Sequence, residues 1–446
     1  NNMKKNNFMK QRLFFQFILL FAFAISANAQ EFLSVEDAVK IALENNYEIK
    51  IASNDLKIDQ QNVSLANAGI LPTLNAVVTE NSSILDTKQT QQDGSIRELD
   101  GAKNMNLSYG VALNWTIFDG FRMFARYDQL KELEKLGDAE MKLTIFTKVS
   151  DVISTYYDLV QQKQQLQALD TAIVISDLRV TTADNRYKIG KAAKLEVLNA
   201  QVDINTDTTN LLRQKELYAN TKILLNQLLA REVNTPFDVE GEFKIDESLL
   251  LPELIALAEK QNPQLQAQII TKRITELQLK QVKSTRLPII TISSGYNFTN
   301  SESSLGFARQ SNGQGLTYGF NASMPIFNGG LQNRNEKIAK IQVENSNILV
   351  EQQTQLLYSQ LASAYQTYLT NLQLTKLEAK NEEIARENLD ITLAKYKIGT
   401  IAPLEFREAQ LNYVNAKVRN SNAQYQAKVS EINLKELAGN LPLASF

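Results

Sequence analysis

The chain of 446 residues contains no histidine and no cysteine. Without histidine it lacks the commonest general base and metal ligand at neutral pH, which excludes Ser–His and Cys–His nucleophiles, zincin motifs and His-ligated iron. Without cysteine it forms no disulfide and performs no thiol chemistry. A glycine-rich motif that would cradle phosphate is also missing. We therefore predict that the protein is not an enzyme and binds no cofactor.

The chain also has no excess of positive charge, and beyond residue 30 it has no long apolar run. Residues 1–29 combine a basic segment, an apolar run and the sequence Ala27-Asn28-Ala29, which predicts a cleaved signal peptide; the alternative is an uncleaved anchor. Removing its four basic residues from the 47 leaves 43 against 49 acidic residues, a formal charge of −6. This balance does not indicate a nucleic-acid partner. No later segment has eighteen consecutive apolar residues, so no transmembrane helix is predicted.

Proline is scarce, and its eight occurrences mark boundaries between segments. Residues 121–187 contain no proline and only one glycine, and residues 331–398 contain neither. In both stretches apolar residues recur at steps of three and four, which predicts two helices of about 65 residues, each roughly 95–100 Å long. Each is followed by a sequence YKIG and then by a second helical pattern. We therefore expect two long antiparallel helical hairpins.

The chain is an internal duplication. Residues 187–201 read YKIGKAAKLEVLNAQ and residues 396–410 read YKIGTIAPLEFREAQ, with nine of fifteen positions identical at an offset of 209. Further upstream the offset is 216, which relates Asn46 to Asn262 and Pro72 to Pro288. The seven-residue difference lies in a loop of the first copy. The protein therefore consists of two copies of a unit of about 200 residues.

Each copy also contains two segments in which apolar and small polar residues alternate, as in a β-strand with one apolar face. The polar segments that join them, residues 83–103 and 300–314, are predicted to be exposed loops. Two strands per copy are too few for a soluble sandwich, and four strands cannot close a barrel alone. Two chains would give eight strands with a filled interior, whereas three would give twelve strands and a lumen. A conduit therefore favours a trimer, although a soluble assembly would avoid this requirement.

The duplicated order of helix, β-hairpin, very long helix, YKIG turn and returning helix resembles the TolC-type outer-membrane channels, the outer membrane efflux protein family. The paired YKIG turns, the Ile-Phe-Asp/Asn-Gly sequences at 117–120 and 326–329 and the two Leu-Pro breaks carry this resemblance. The predicted first repeat spans 30–235 and the second 250–446, joined by a linker at 236–249. The first contains helix 34–69, strands 73–82 and 105–118, long helix 121–186, tip turn 187–193 and return helix 194–231. The second contains helix 251–285, strands 289–299 and 315–327, long helix 331–395, tip turn 396–402 and return helix 403–438.

The resemblance implies a mainly α fold with membrane β structure. The expected assembly is a homotrimer with a 12-stranded β-barrel, four strands per chain, in the outer membrane of a Gram-negative bacterium. Its long hairpins would form a periplasmic α-barrel, a coiled-coil-like tunnel. The implied function is the exit duct of a tripartite efflux or type I secretion system. Its implied partners are a periplasmic adaptor (membrane fusion) protein, an inner-membrane pump of the RND, ABC or MFS type and outer-membrane lipid.

The resemblance also assigns roles at the tip of the hairpins. Glu405 and Glu408 match the acidic residues of the family's constriction, and three chains would stack them as two carboxylate rings able to hold cations. Glu196 is the counterpart of Glu405 in the first copy. The other tip residues are the two tyrosines and the two turn glycines, which an adaptor would contact: Tyr187, Tyr396, Gly190 and Gly399.

Other interpretations of the same residues remain open. Two glutamates three positions apart on a helix are commonly just a solvated face, and the tyrosines would equally pack beneath their turns. The family's basic residue five positions after the second tyrosine is replaced by Ile401. At the level of the whole protein, the alternatives are a periplasmic coiled-coil scaffold or adaptor without a pore and, less favoured, a carboxylate-based glycosidase, which needs a cleft.

Overall fold

The computed structural model describes residues 31–304 and 308–441, and the predicted signal peptide at 1–29 lies outside this range. The described chain is mostly helical. Its helices are α1 Val35–Asn45, α2 Tyr47–Asn62, α3 Arg122–Lys188, α4 Lys194–Leu228, α5 Leu251–Gln261, α6 Pro263–Ser284, α7 Leu331–Ile398 and α8 Pro403–Leu437. Its strands are β1 Glu31–Leu33, β2 Thr73–Thr90, β3 Ile96–Asp119, β4 Phe237–Val239, β5 Ile289–Ser303 and β6 Gln310–Ser323. No helix in the described range is long and apolar enough to cross a bilayer.

The two long helices are α3 and α7, with 67 and 68 residues. Each is followed by a return helix of 35 residues, α4 or α8. Pro403 stands in the first turn of α8, where its missing N–H has no partner to lose. Both copies therefore form the helical hairpin that the sequence predicts.

Two of the predicted helices are each interrupted at an asparagine, and these two asparagines occupy equivalent positions in the two copies. The prediction of one helix over 34–69 is wrong because Asn46 adopts extended backbone, and its Oδ1 accepts the N–H of Glu48 at 2.9 Å to cap α2. The prediction of one helix over 251–285 is wrong for the same reason at Asn262, which precedes Pro263. Each asparagine also donates from Nδ2 to the end of a return helix, Asn46 to the Leu228 carbonyl at 2.8 Å and Asn262 to the Leu437 carbonyl at 2.9 Å.

The described residues form two compact units, and each unit draws on both copies. The first unit contains residues 144–262 and 357–441 together with the segment up to Lys50. Its core includes the parallel pair β1–β4, α1 and the buried face of α3. Tyr156 links these elements, since its hydroxyl donates to the Leu33 carbonyl at 2.9 Å and accepts the N–H of Glu240 at 3.2 Å.

The second unit holds a four-stranded antiparallel sheet in the order β2–β3–β5–β6. Its central pairing, β3 with β5, joins the first copy to the second and aligns Leu113 with Ser294. The register places the apolar row of every strand on one face, which carries Leu74, Val78, Tyr109, Val111, Trp115, Ile292, Tyr296, Phe298, Leu316, Tyr318 and Phe320. The other face carries small polar residues and glycine, among them Asn75, Thr79, Asn114, Ser293, Asn297, Thr317 and Asn321. The sheet therefore has one apolar face and one uncharged polar face.

The strand ends differ from the prediction in both hairpins. The predicted loop 83–103 is largely paired, because β2 and β3 continue as a two-stranded ribbon up to Thr90 and Ile96. The ribbon is mainly polar and its few apolar residues do not form a continuous row on either side, so alternation could not reveal it. In the second copy the ends of the predicted loop 300–314 are paired as well, because β5 continues to Ser303 and β6 begins at Gln310. At its other end β6 stops at Ser323 and not at residue 327. Pro325 stands two residues beyond Ser323 and cannot donate to a ladder, which explains the early end.

Candidate functional site

Both YKIG turns end a long helix in the same way. Gly190 and Gly399 have left-handed φ angles of +73° and +80°. The N–H of each glycine donates to the carbonyl of its tyrosine, Tyr187 at 2.9 Å and Tyr396 at 3.0 Å. The N–H of the next residue donates to a carbonyl five positions earlier, which completes a Schellman motif in each copy. Each long helix therefore ends in a left-handed cap, and this backbone conformation itself requires glycine.

The two tyrosines have identical sequence context but different surroundings. The Tyr396 ring is buried and stacks on Phe406, with centroids 4.8 Å apart and planes 8° from parallel. Burial, with the negative charge of Glu196 in support, raises the pKa of Tyr396 above its usual value. Tyr187 is 44% exposed, and the counterpart of Phe406 in the first copy is Val197. The second-copy tyrosine is therefore packed within the chain, whereas the first-copy tyrosine presents its ring to the outside.

The acidic tip residues also separate into two groups. Glu405 and Glu408 are both exposed, while Phe406 and Arg407 between them are buried, so the two carboxylates share the outer face of α8. Within the described residues of one chain, no group of carboxylates is arranged to hold a metal ion. Glu196 is mostly covered and lies 3.5 Å from a guanidinium nitrogen of Arg186. Its charge is therefore engaged inside the first hairpin.

A buried group of polar side chains joins the two hairpins, and we call it the polar clamp: Ser176, Asp207, Arg407 and Gln410. Arg407 of α8 donates to both carboxylate oxygens of Asp207 on α4, at 2.6 and 2.8 Å. Ser176 of α3 donates to Asp207 at 2.6 Å and accepts from Gln410 Nε2 at 2.8 Å. Gln410 also donates to the Ala172 carbonyl at 2.9 Å. One bidentate ion pair and its neighbours thus connect three helices from both copies.

The charge of Arg407 is maintained although the group is buried. Burial opposes the charge, but hydrogen bonds to Asp207 outweigh it and raise the pKa of Arg407 above its usual value. A second pair lies beside the clamp, where Arg179 donates to Asp203 at 2.9 Å. Asp203 is also 3.7 Å from Nε of Arg407. At this position along the hairpins, the positive charges of the two arginines are therefore neutralised by the negative charges of the two aspartates.

The sequence analysis did not identify the polar clamp. It noted only that Ile401 replaces a basic residue, and Ile401 packs against the cluster around Tyr396 and Phe406. The signal that could have found the clamp is a break in the duplication, because Arg407 and Asp207 correspond to Leu198 and Ala416 in the other copy. A charged residue on the buried side of a helix, without a charged counterpart in its repeat, indicates a specific partner.

Comparison with known proteins gives a consistent set of similarities. The model of the family described as outer membrane efflux protein matches residues 38–231 and 254–440. The chain is 22% identical over 440 residues to the outer membrane protein TolC of Escherichia coli (strain K12), covering 95% of this chain and 85% of that protein. It is 19% identical over 443 residues to the proteases secretion protein PrtF of Dickeya chrysanthemi, covering 95% and 92%. The structure is similar to the CmeC outer membrane channel of Campylobacter jejuni, with a TM-score of 0.75 and 16% identity over 91% of this chain and 85% of that one.

Proposed function

Because the chain belongs to the outer membrane efflux protein family, we propose that it is the exit duct of an efflux or type I secretion system. It resides in the outer membrane of a Gram-negative bacterium and passively conducts small molecules or polypeptides outward. The related proteins carry the names of an outer membrane protein and a proteases secretion protein. As family members are channels, we infer that the chain performs no covalent chemistry.

The observation that carries this function is the combination of an apolar-faced sheet with two very long hairpins in one duplicated chain. The sheet faces lipid with its apolar row and a lumen with its Asn, Ser, Thr and Gly residues, as in membrane barrels whose strands alternate between the two environments. A sheet with two free edges is not tolerated in lipid, so several chains share one barrel. Three chains supply twelve strands and leave a conduit.

The hairpin tips form the gate and the docking site. Glu405 and Glu408 are exposed on one face of α8, which supports two rings of carboxylates in a trimer. The exposed apolar side chains beside the turns, Ile189 and Ile398, support contact with a periplasmic adaptor protein. The adaptor in turn connects the duct to an inner-membrane pump. Selection of the exported molecule takes place in that pump.

Electron microscopy together with conductance measurement tests this function. We expect the protein to require detergent for extraction, to form particles with threefold end views and to produce discrete conductance steps in planar bilayers. Detergent-free extraction and single thin rods would instead indicate the periplasmic scaffold. A heat-dissociated sample of the same protein is the matched control, because it retains the chain but loses the shared barrel.

A further inference from the structure

The chain passes from β3 into α3 through two consecutive residues with left-handed backbone. Gly120 has a φ of +72° and Phe121 a φ of +68°. The equivalent residues of the second copy are Gly329 and Gly330, with φ angles of +67° and +78°. Both copies therefore make the same turn, but only the second copy makes it with glycine at both positions.

Phenylalanine is an unfavourable residue for this conformation. A left-handed φ brings Cβ close to the following carbonyl oxygen, so a bulky residue there is a clear outlier. Within the described residues, Phe121 and Ala230 are the two non-glycine residues with positive φ. Gly330 shows that the turn itself needs no aromatic side chain. Since backbone strain of this kind persists where it serves a purpose, the purpose of residue 121 lies in its ring.

Burial does not account for the ring. Phe121 is 60% exposed and Phe124 is 52% exposed. The rings of Phe118 and Phe121 meet edge to face with centroids 5.1 Å apart, and the ring of Phe124 lies 6.3 Å from that of Phe121. We call Phe118, Phe121 and Phe124 the aromatic corner. Its counterparts in the second copy retain a single aromatic ring: Phe327, Gly330 and Asn333.

The aromatic corner continues the apolar face of the sheet. The β3–β5 ladder places Phe118 opposite Ile290 and Trp115 opposite Ile292, and both isoleucines belong to the apolar face. Because α3 begins at Arg122, the corner lies at the end of the sheet from which the long helices leave. In the proposed duct this end is the periplasmic edge of the membrane. Aromatic side chains at such an edge contact the boundary between acyl chains and headgroups.

A basic side chain stands beside the aromatic corner. Arg122 directly follows Phe121 and is exposed. In the described part of the chain, its guanidinium forms no ion pair and no hydrogen bond. The carboxylate of Asp119 accepts the N–H of Met123 at 3.0 Å and so caps α3. The helix end is therefore satisfied by the chain itself, whereas the guanidinium is open to an anion from outside.

We propose that the aromatic corner and Arg122 bind a phospholipid of the periplasmic leaflet. The guanidinium binds the headgroup phosphate, for which its planar set of donors is suited. The rings of Phe121 and Phe124 contact the upper parts of the acyl chains. The occupant is a lipid because the site extends the lipid-facing row and combines a cation with exposed rings. This proposal rests on the proposed function, and it explains why a strained phenylalanine stands where the second copy has glycine.

The single tryptophan of the chain makes this lipid contact measurable. Trp115 is next to Phe118 in the same row of the sheet, so a lipid held at the aromatic corner brings its acyl chains close to the indole. The detergent-extracted protein is titrated with phosphatidylglycerol or with diacylglycerol, both brominated on the acyl chains, and the quenching of Trp115 fluorescence is followed. For the unmodified chain we expect half-quenching at a lower mole fraction of phosphatidylglycerol than of diacylglycerol.

The variant Phe121→Gly separates the lipid contact from folding. We expect half-quenching to require several times more of either lipid, while the apparent Tm in detergent without lipid rises by about 1–4 °C because strain is released. Phe124→Ala removes a ring without changing the backbone, so it should weaken quenching without this rise in Tm.

The variant Arg122→Gln tests the phosphate contact. It should weaken binding of phosphatidylglycerol about fivefold, as expected for one basic side chain near an anionic lipid, and leave quenching by diacylglycerol unchanged. Tyr318→Ala is the matched control, because it removes an 84% exposed ring from the same face on another strand. Its quenching curves should coincide with those of the unmodified chain.

The outcomes separate this site from the function of the protein. A lowered Tm for Phe121→Gly together with unchanged quenching curves would show that the ring serves the fold, and would overturn the site. An unchanged ratio between the two lipids in Arg122→Gln would contradict the phosphate contact. If neither lipid quenched Trp115 in the unmodified chain, the apolar face would not contact lipid, and the proposed function itself would be refuted.

Discussion

Replacing Arg407 with methionine should destabilise the protein strongly, because it leaves Asp207 charged and buried without its partner. The side chains of Arg407 and Asp207 are 10% and 7% exposed, and two hydrogen bonds of 2.6 and 2.8 Å connect them. Removal of one member of a buried ion pair costs about 3–5 kcal/mol. For a cooperative unit of 200 or more residues this corresponds to a fall in Tm of roughly 6–10 °C.

The matched control is Arg419→Met on the same helix. Arg419 pairs with Glu378 at 3.1 Å, but its side chain is 53% exposed and the pair lies within the second hairpin. Solvent weakens such a pair, so the loss should be about 0–1 kcal/mol. The double variant Arg407→Met with Asp207→Leu should recover most of the stability, because the unpaired charge is removed together with its partner.

Two measurements check this reasoning. The first is thermal unfolding of the detergent-extracted protein by circular dichroism. The second is bilayer conductance, which should rise in Arg407→Met because the polar clamp joins the second hairpin to the first and limits its movement. Equal Tm values for Arg407→Met and Arg419→Met would refute the energetic argument. An unchanged conductance with a lowered Tm would restrict the polar clamp to a stabilising role.

Four further predictions concern other parts of the chain. Glu405→Gln combined with Glu408→Gln should reduce the cation preference of the channel in bilayer recordings, because both carboxylates are exposed on one face of α8. Unchanged selectivity would contradict the proposal that these carboxylates form rings in the pore. Asn46→Ala should lower stability by about 1–3 kcal/mol in thermal melts, since it removes a helix cap and a buried hydrogen bond, and Asn46→Ser, whose hydroxyl retains a cap acceptor, should lose less. Ala230→Gly should raise stability by about 0.5–1 kcal/mol because Ala230 has a left-handed φ of 51°. Gly439→Ala should lower it by more, since the added Cβ would lie 2.6 Å from the carbonyl oxygen of Gln261, the last residue of α5. Melts that rank these two variants in the opposite order would argue against the backbone explanation.

The duplication made most of the architecture predictable. The long helices, the YKIG turns and the two faces of the sheet follow from periods of 3.6 and 2 and from the position of glycine. The breaks at Asn46 and Asn262 were not predicted, because the apolar period continues through both positions and the capping role of an asparagine depends on where its helix ends. The ribbon beyond Leu85 was missed because it has no apolar row.

The candidate site was less predictable than the fold. Tyr187 and Tyr396 occupy the same motif, yet only Tyr396 is buried. The sequence of the motif could not reveal this difference, because the packing of the two hairpins in the folded chain decides which tyrosine is covered. Glu196 matches Glu405 in sequence but is engaged by Arg186. The polar clamp depends on contacts between residues about 200 positions apart, such as Arg407 with Asp207, and local patterns carry no information about such pairs.

The central position of the β3–β5 pair has a consequence for how the molecule is made. About 180 residues separate Leu113 from Ser294, so the sheet has to wait until the second copy has been synthesised, whereas each helical hairpin can form from local contacts. A finished but solitary chain still exposes Tyr318 and Phe320 on β6, and the hydrogen-bonding edges of β2 and β6 are both open. In the proposed shared barrel, association of the chains is a second-order or higher process, so its rate falls as the concentration of the chain falls. The interval between synthesis and that association would be the period in which the chain is most prone to aggregate, and it would lengthen when expression is low.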